Sequence, residues 1–192
     1  MRALTIGSLN LDHVHRVPHL VRPGETVSCT SYEVFSGGKG LNQSIALARA
    51  GVKTCHAGLI GHGSEMLTRE LRDAGVDASL VEIVDVPTGH AIIQVNPEGE
   101  NAIMIHGGAN VALTLDHVTR WLATLERGDL VVLQNETNLA SEIIDEASKR
   151  GLAVSFTAAW FVGVILAASL VPGEPISPAL VLASPAFASE SS

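Results

Sequence analysis

The chain has 192 residues and a mass of 20.1 kDa, which suits a single α/β domain better than two domains. Hydrophobic residues make up 46% and charged residues only 17%, so the composition excludes an intrinsically disordered chain. A net charge of −8 argues against nucleic acid as a partner, because such proteins normally carry a basic face. The two cysteines, Cys29 and Cys55, form no metal or disulfide motif and favour a reducing, cytoplasmic location.

Through most of the chain, short apolar runs alternate with segments whose apolar residues have helical spacing. This alternation predicts an α/β fold with a mostly parallel sheet flanked by helices. The predicted strands cover residues 3–9, 53–59, 80–84, 130–133 and 152–156. The helices between them carry apolar residues at i, i+4 and i+7, as at Leu41, Ile45 and Ala48, and end at glycines such as Gly51. Asn138 is the predicted N-cap of the last of these helices.

Two segments, residues 13–35 and 89–106, lack helical spacing and are rich in Val, Ile and Thr. The second contains a Pro-Glu-Gly-Glu turn at 97–100 between two short strands. We expect these segments to form a small antiparallel β-sheet, called the flap, beside the main sheet. Period-2 spacing puts His13 and His15 on one strand face, but no carboxylate or cysteine completes a metal site there. Surface histidines are therefore the preferred interpretation.

A glycine-rich turn with the sequence FSGGKGLNQS, residues 35–44, precedes the first predicted helix. Consecutive glycines let the backbone approach a ligand closely, and the start of a helix offers unpaired N–H donors to a polar or anionic group. The turn is not a phosphate-binding Walker A loop, because Gly40 stands where that motif requires Ser or Thr. On composition alone, a tight turn with a solvated lysine is an equally good interpretation. Lys39 and Asn42, one helical turn apart, favour a site.

Three further polar residues, Asn10, Asp12 and Glu136, follow predicted strands at one edge of the sheet, where ligand sites of open α/β sheets lie. Carboxylates accept hydrogen bonds from neighbouring hydroxyl groups, so this set suits a polyhydroxylated ligand. Taken singly, Asp12 as a turn residue and Glu136 as a helix-start carboxylate are the simpler interpretations.

Six segments between residues 3 and 159, taken in their order along the chain, together resemble the ribokinase family of carbohydrate kinases. The segments are GSLNLDHV at 7–14, PGETV at 23–27, GGKGLNQSIALARAG at 37–51, LIGHGSEMLTRELRDAGVD at 59–77, PTGHAIIQVNPEGENAIMIHGGAN at 87–110 and VVLQNE at 131–136. The resemblance implies a ribokinase-like fold in which the flap acts as a lid over the sugar and often forms a homodimer interface. It places the N-terminal part of that domain at residues 1–159.

The resemblance also implies an activity, namely transfer of the ATP γ-phosphate to a sugar hydroxyl, with ribose favoured and with ATP and Mg2+ as cofactors. The substrate-binding residues that it implies are Asn10, Asp12, Gly38, Lys39, Gly40, Leu41, Asn42 and Glu136. Two positions depart from the family pattern: His62 stands where an aspartate is usual, and Leu41 replaces a commonly smaller residue.

The family's catalytic elements are missing from this sequence. Neither the Gly-Ala-Gly-Asp element, which supplies the base and the anion hole, nor the Asn-x-x-Glu element associated with Mg2+ occurs. No catalytic residue and no metal ligand is therefore assigned to this chain. Phosphoryl transfer needs these groups together, so we expect a truncated chain that is inactive by itself. The alternative is a non-catalytic fragment that binds sugar or dimerises.

Residues 160–192 form an atypical apolar tail of low charge. All 12 Lys and Arg residues lie at or before Arg150, and Glu174 and Glu190 are the only acids after Gly151. A shifted reading frame near residue 159 is the leading explanation. The uncharged run at 152–171 is long enough for a membrane-spanning helix. That interpretation ranks second, because residues 152–156 already match a family strand, so a membrane is not an expected partner.

Overall fold

A computed structural model describes residues 1–158, so the predicted tail at 160–192 lies outside the described residues. The main sheet has five strands, all paired in parallel. In sheet order they are β5 (Asp77–Val84), β4 (Thr54–Gly61), β1 (Ala3–Ile6), β8 (Leu130–Gln134) and β9 (Ala153–Thr157). The structure thus confirms the predicted α/β class and its mostly parallel sheet.

Within residues 1–158, four α-helices cover the two faces of this sheet. They are α1 (Lys39–Arg49), α2 (Met66–Asp73), α3 (Leu115–Leu122) and α4 (Ala140–Lys149). On one face Leu41 of α1 and Leu67 of α2 are buried against Ile60 of β4. On the other face Trp121 of α3 is fully buried against Leu59 of the same strand. Because successive strand residues point to opposite faces, β4 and β5 contribute side chains to both cores.

The flap is a second sheet of four strands. In sheet order they are β3 (Ser31–Gly37), β2 (Asn10–Arg16), β6 (Gly89–Val95) and β7 (Asn101–His106). The two outer pairs are antiparallel as expected, but β2 and β6 pair in parallel, so the expectation of a wholly antiparallel flap is wrong. The reason lies in the main sheet, because β2 and β6 follow two parallel strands, β1 and β5, and enter the flap in the same direction.

The first strand is shorter than predicted, and this changes the location of two candidate site residues. Strand β1 ends at Ile6 rather than at residue 9, and Asn10 begins the flap strand β2. Asn10 pairs there with Gly37 of β3 and Gly89 of β6. Asn10 and Asp12 therefore belong to the base of the flap and not to the end of a strand of the main sheet.

The prediction that Asn138 caps the last helix is wrong. Helix α4 begins after Leu139, which has a left-handed backbone with φ of 61° and makes no side-chain cap. The Asn138 amide instead binds the backbone of Leu113, accepting from its N–H at 3.1 Å and donating to its carbonyl oxygen at 2.9 Å. This residue therefore ties the loop before α4 to the segment before α3.

Within residues 1–158, no helix combines the length and the apolar character needed to cross a membrane. The first part of the uncharged run that begins at residue 152 forms the parallel strand β9.

Candidate functional site

Glu136 links the ends of two neighbouring strands of the main sheet to the start of α1. Its Oε2 atom accepts hydrogen bonds from the Ser8 hydroxyl and from the Lys39 backbone N–H, the latter at 3.1 Å. Its Oε1 atom accepts from the Lys39 ammonium group. Both side chains of this ion pair are more than four-fifths shielded from solvent. The carboxyl ends of β1 and β8 thus meet α1 at one charged centre.

The glycine-rich turn brings the start of α1 close to the backbone of Ser8, the residue that follows Gly7 after strand β1. Gly38 has φ of 102°, and a Cβ atom there would lie 2.6 Å from the Ser8 carbonyl oxygen. A Cβ atom on Gly40 would lie 2.5 Å from the Ser8 backbone nitrogen. Only glycine permits both approaches. Gly40 donates its N–H to Ser8 Oγ at 3.2 Å and Leu41 donates to the Ser8 carbonyl at 3.1 Å.

The first backbone donors of α1 are therefore engaged by Ser8 and Glu136. The predicted site residues of this turn also differ in accessibility. Leu41 is buried in the core beside Leu9, whereas Asn42 is exposed to solvent. The turn thus contributes one charged side chain, that of Lys39, to the centre around Glu136.

Asp12 is half-buried at the base of the flap, and its carboxylate occupies the space above Gly37. A Cβ atom on Gly37 would lie 2.2 Å from Asp12 Oδ2, so in this conformation the carboxylate fills the space that a side chain at position 37 would occupy. Burial, and next the negative charge of Glu136, raise the pKa of Asp12 to about 6. Gly37 lies two residues before Lys39, which binds Glu136, so both carboxylates lie beside the same turn.

The pKa of Glu136 shifts in the opposite direction to that of Asp12. Burial opposes its ionisation, but hydrogen bonds from Lys39 and Ser8 outweigh that effect and lower the pKa of Glu136. At neutral pH the centre therefore holds one firmly ionised carboxylate, one ammonium group, and a second carboxyl whose charge changes near pH 6.

Asn10 lies two residues before Asp12 on the same face of β2, and only 5% of it is exposed. Its Oδ1 atom accepts a hydrogen bond from Asn110 Nδ2 at 2.7 Å. The structure thus brings Asn10 and Asp12, at the base of the flap, close to Lys39 and Glu136 at the edge of the main sheet. A cluster of two carboxyls, an amide and an ammonium group can both accept and donate hydrogen bonds to a polyhydroxylated molecule.

Two residues that hydrogen-bond to this cluster, Ser8 and Asn110, were not among the sequence-predicted site residues. Ser8 lies two residues after Ile6, the apolar end of β1, the same signal that pointed to Asn10 and Asp12. Asn110 closes the segment 87–110 that carries part of the family resemblance. Both signals were present, but only tertiary contacts show that these side chains reach the site.

The histidines of the flap form an aromatic surface. His13 and His15 each stack on Tyr32, with ring centroids 5.9 and 4.9 Å apart, and His13 also lies edge-on to His90. In the part of the chain that the structure describes, no three His, Cys, Asp or Glu side chains are arranged to hold a metal ion.

Comparison with known proteins identifies the family. The family model described as pfkB family carbohydrate kinase matches residues 2–184. Ribokinase from Haemophilus influenzae is 36% identical over 156 residues, which cover 78% of this chain and 50% of that protein. The chain spans about half the length of the curated relatives it matches.

Solved structures give the same result for the fold. Ribokinase from Cryptococcus neoformans in complex with ADP superposes with a TM-score of 0.71 at 38% identity, covering 84% of this chain and 51% of that one. Arabidopsis thaliana ribokinase with ribose and ATP gives a TM-score of 0.67 at 28% identity, over 81% of this chain and 52% of that one. With a ribokinase-type sheet, a flap and this charged centre between them, the chain belongs to the pfkB family of carbohydrate kinases.

Proposed function

We propose that this chain provides the sugar-binding part of a ribokinase-type kinase, an enzyme that transfers the ATP γ-phosphate to a sugar hydroxyl, and that ribose is its sugar. The observation that carries the proposal is that Asp12, at the base of the flap, lies over the turn whose Lys39 binds Glu136 at the edge of the main sheet. We assign sugar binding to these residues and to Asn10, and backbone support of the site to the turn at 38–42.

The chemistry of the cluster fits a sugar. Neighbouring hydroxyl groups of a pentose both donate and accept hydrogen bonds, and Glu136 and Asp12 supply acceptors while Lys39 supplies a charged donor. Hydrogen bonds to charged groups contribute about 1.5–3 kcal/mol each, which is enough to hold a small polar ligand. We propose that the flap covers the bound sugar, which would keep water away and strengthen these contacts.

The names of the relatives support the choice of substrates. The Haemophilus influenzae relative is a ribokinase, and the Arabidopsis thaliana structure contains ribose and ATP. We therefore propose ribose and a nucleotide for the complete reaction, with Mg2+ as its metal. The residues of this chain do not fit these last two groups, because the sequence has no Gly-Ala-Gly-Asp or Asn-x-x-Glu element. Residues 1–158 also offer no three-ligand metal site. We propose no phosphoryl transfer by these residues alone.

Calorimetry with ribose and a coupled ATP assay test the proposal. We expect the chain to bind ribose, and Asp12→Asn to weaken binding about tenfold. Asp85→Asn is the matched control, since the Asp85 side chain is 99% exposed, and it leaves affinity unchanged. No ribose binding by the unmodified chain would overturn the proposal. Ribose-dependent ATP turnover would show that the catalytic base lies within these 192 residues, contrary to our assignment.

A second function, dimerisation through the flap, is favoured by a specific observation. Phe35, Ile103 and Ile105 share one face of the flap by strand register, and 47–51% of each is exposed. Burial of such a patch against a second copy of the chain would stabilise both molecules. Sedimentation velocity of the protein and of Ile105→Lys tests this, because a dimer held by the flap dissociates in the variant.

We also propose a cytoplasmic location. Cys29 and Cys55 are both free thiols in the structure, which suits a reducing compartment.

A further inference from the structure

The side chain of Asn110 binds the backbone of Leu9 in the way that a neighbouring strand would. The Leu9 N–H donates to Asn110 Oδ1 at 2.9 Å, and Asn110 Nδ2 donates to the Leu9 carbonyl oxygen at 3.3 Å. Asn110 is 2% exposed, so these bonds lie within the protein interior. A backbone N–H can only donate and a carbonyl can only accept. The Leu9 backbone therefore fixes which end of the Asn110 amide is oxygen and which is nitrogen.

The orientation of Asn110 in turn fixes the orientation of Asn10. Asn110 Nδ2 also donates to Asn10 Oδ1 at 2.7 Å, so the Asn10 oxygen must face Asn110 and its nitrogen must face away. Among the described residues, Asn10 Nδ2 has no hydrogen-bond partner, and it is not sealed from solvent. The group that Asn10 presents to a ligand is thus a pair of N–H donors.

Glycines on the neighbouring strands leave room for this arrangement. A Cβ atom on Gly89 would lie 2.1 Å from Asn110 Nδ2 and 2.5 Å from Asn10 Oδ1. Gly37, on the other side of β2, leaves the corresponding space for the Asp12 carboxylate. Each side chain therefore lies over a glycine. The same face of β2 presents a donor at Asn10 and an acceptor at Asp12, two residues apart.

We propose that Asn110 is a positioning residue that holds the Asn10 amide with its N–H groups toward the sugar. Asn10 then donates to a sugar oxygen while Asp12 accepts from a neighbouring hydroxyl, which gives the site a defined hydrogen-bond polarity. The inference rests on the sugar-binding function proposed above. It separates two effects of Asn110, which are tethering Leu9 and orienting Asn10.

The substitution Asn110→Asp distinguishes these effects because it changes one atom at constant shape. One carboxylate oxygen still accepts from the Leu9 N–H, but the other replaces the donor to both the Leu9 carbonyl oxygen and Asn10 Oδ1, so a control variant must separate the two losses. The Asn10 amide must then rotate to donate toward Asp at position 110, which turns its oxygen toward the sugar. We expect ribose affinity to fall about tenfold or more.

Asn138→Asp provides the matched control. Asn138 holds the backbone of Leu113 with the same pair of hydrogen bonds but makes none to Asn10. Loss of a structural tether therefore lowers the unfolding midpoint in both variants, whereas loss of ribose affinity is expected in Asn110→Asp alone. Equal affinity losses in the two variants, or unchanged affinity in Asn110→Asp, would overturn the role of Asn110.

Nuclear magnetic resonance of the unmodified protein supplies a second measurement that does not depend on how Asn110→Asp folds. With 15N-labelled asparagine, the side-chain NH2 signal that disappears in Asn10→Asp belongs to Asn10. We expect ribose to shift this signal. If ribose binds and the signal stays unmoved, the inference about Asn10 and Asn110 is wrong while the proposed function stands. If ribose does not bind at all, the proposed function itself fails.

Discussion

The carboxylate of Glu136 receives both the backbone N–H and the ammonium group of Lys39, although the two residues lie 97 positions apart in the chain. One side chain thus fixes the start of α1 and neutralises the lysine beside it. The Ser8 hydroxyl, between the Glu136 carboxylate and the Gly40 N–H, completes the link to β1. The site is therefore also a structural junction of the main sheet.

We expect Lys39→Met to lower the free energy of unfolding by about 1.5–3 kcal/mol, because it leaves the shielded Glu136 carboxylate without its main charged donor. Lys149→Met is the matched control. Lys149 lies 4.0 Å from Glu146 and is 75% exposed, so this change costs less than about 0.5 kcal/mol. Urea denaturation measures both. Equal effects of the two substitutions would contradict the importance of the ion pair.

The ion pair between Lys39 and Glu136 also makes the stability of the protein depend on pH. The pKa of Glu136 is lowered in the folded protein, so its stabilisation is present above the pKa of the unfolded chain and is lost as the pH falls through the folded value. The stability difference between the unmodified protein and Lys39→Met should therefore shrink as the pH falls below about 4. Denaturation curves at neutral and acidic pH test this. A difference that is constant with pH would rule out an ionic origin.

Sugar affinity should rise with pH through the ionisation of Asp12. Its pKa of about 6 means that the carboxyl is mostly protonated near pH 5 and mostly an ionised acceptor near pH 7. We expect ribose affinity to increase about tenfold over this interval, and calorimetry across it measures the change. In Asp12→Asn the dependence should disappear. A pH-independent affinity in the unmodified protein would contradict the role of Asp12 as acceptor.

Ionisation of Asp12 has the opposite effect on the stability of the unliganded protein. The folded pKa lies above the value of about 4 for an ordinary carboxyl, so between the two the folded state binds more protons than the unfolded state. Stability contributed by Asp12 therefore declines as the pH rises through this window. Asp12→Asn should remove the decline and unfold at higher urea concentration than the unmodified protein at neutral pH.

Gly38→Ala should destabilise the protein more than Gly51→Ala does. Both glycines have positive φ, 102° and 84°, but a Cβ atom meets the Ser8 carbonyl only at Gly38, whereas the space around Gly51 is open. Gly51→Ala measures the backbone strain alone, about 1–2 kcal/mol. The excess for Gly38→Ala in urea denaturation measures the close approach of α1 to Ser8. Equal losses would show that the turn has room to relax.

Asn138→Ser should cost about 1–3 kcal/mol, because serine cannot reach both backbone groups of Leu113 and leaves them without partners. Serine is as good an N-cap as asparagine, so a capping role would leave stability nearly unchanged. The thermal unfolding midpoint decides between the two roles.

The main sheet and its helices were predictable because their patterns are local. Period-2 and period-3.6 burial place Leu59 and Trp121 in the core without knowledge of their partners. The parallel pairing of β2 with β6 was not predictable in this way, because it depends on where two distant connections leave the main sheet. The prediction for Asn138 was wrong for another reason. An asparagine that caps a helix and an asparagine that binds the N–H and carbonyl of one distant residue can have the same local sequence.

In the candidate site too, residues marked by local patterns were predictable and residues defined by distant contacts were not. Asn10, Asp12, Lys39 and Glu136 were predicted from strand ends, the glycine-rich turn and the family resemblance, and the structure brings them together where the flap meets the main sheet. Ser8 and Asn110 were not, since their contacts join residues 128 and 101 positions apart. The orientation of an amide is a property of its partners, and no pattern along the chain encodes it.

The binding groups are divided between two sheets. Asp12 belongs to the flap, whereas Glu136 is anchored at the end of β8, and only residues 7–9 connect β1 to β2. The separation of the two carboxylates, and with it their mutual repulsion, therefore depends on how the flap sits relative to the main sheet. Protonation of Asp12 would remove that repulsion, so the two sheets are held against it only in a neutral or alkaline medium.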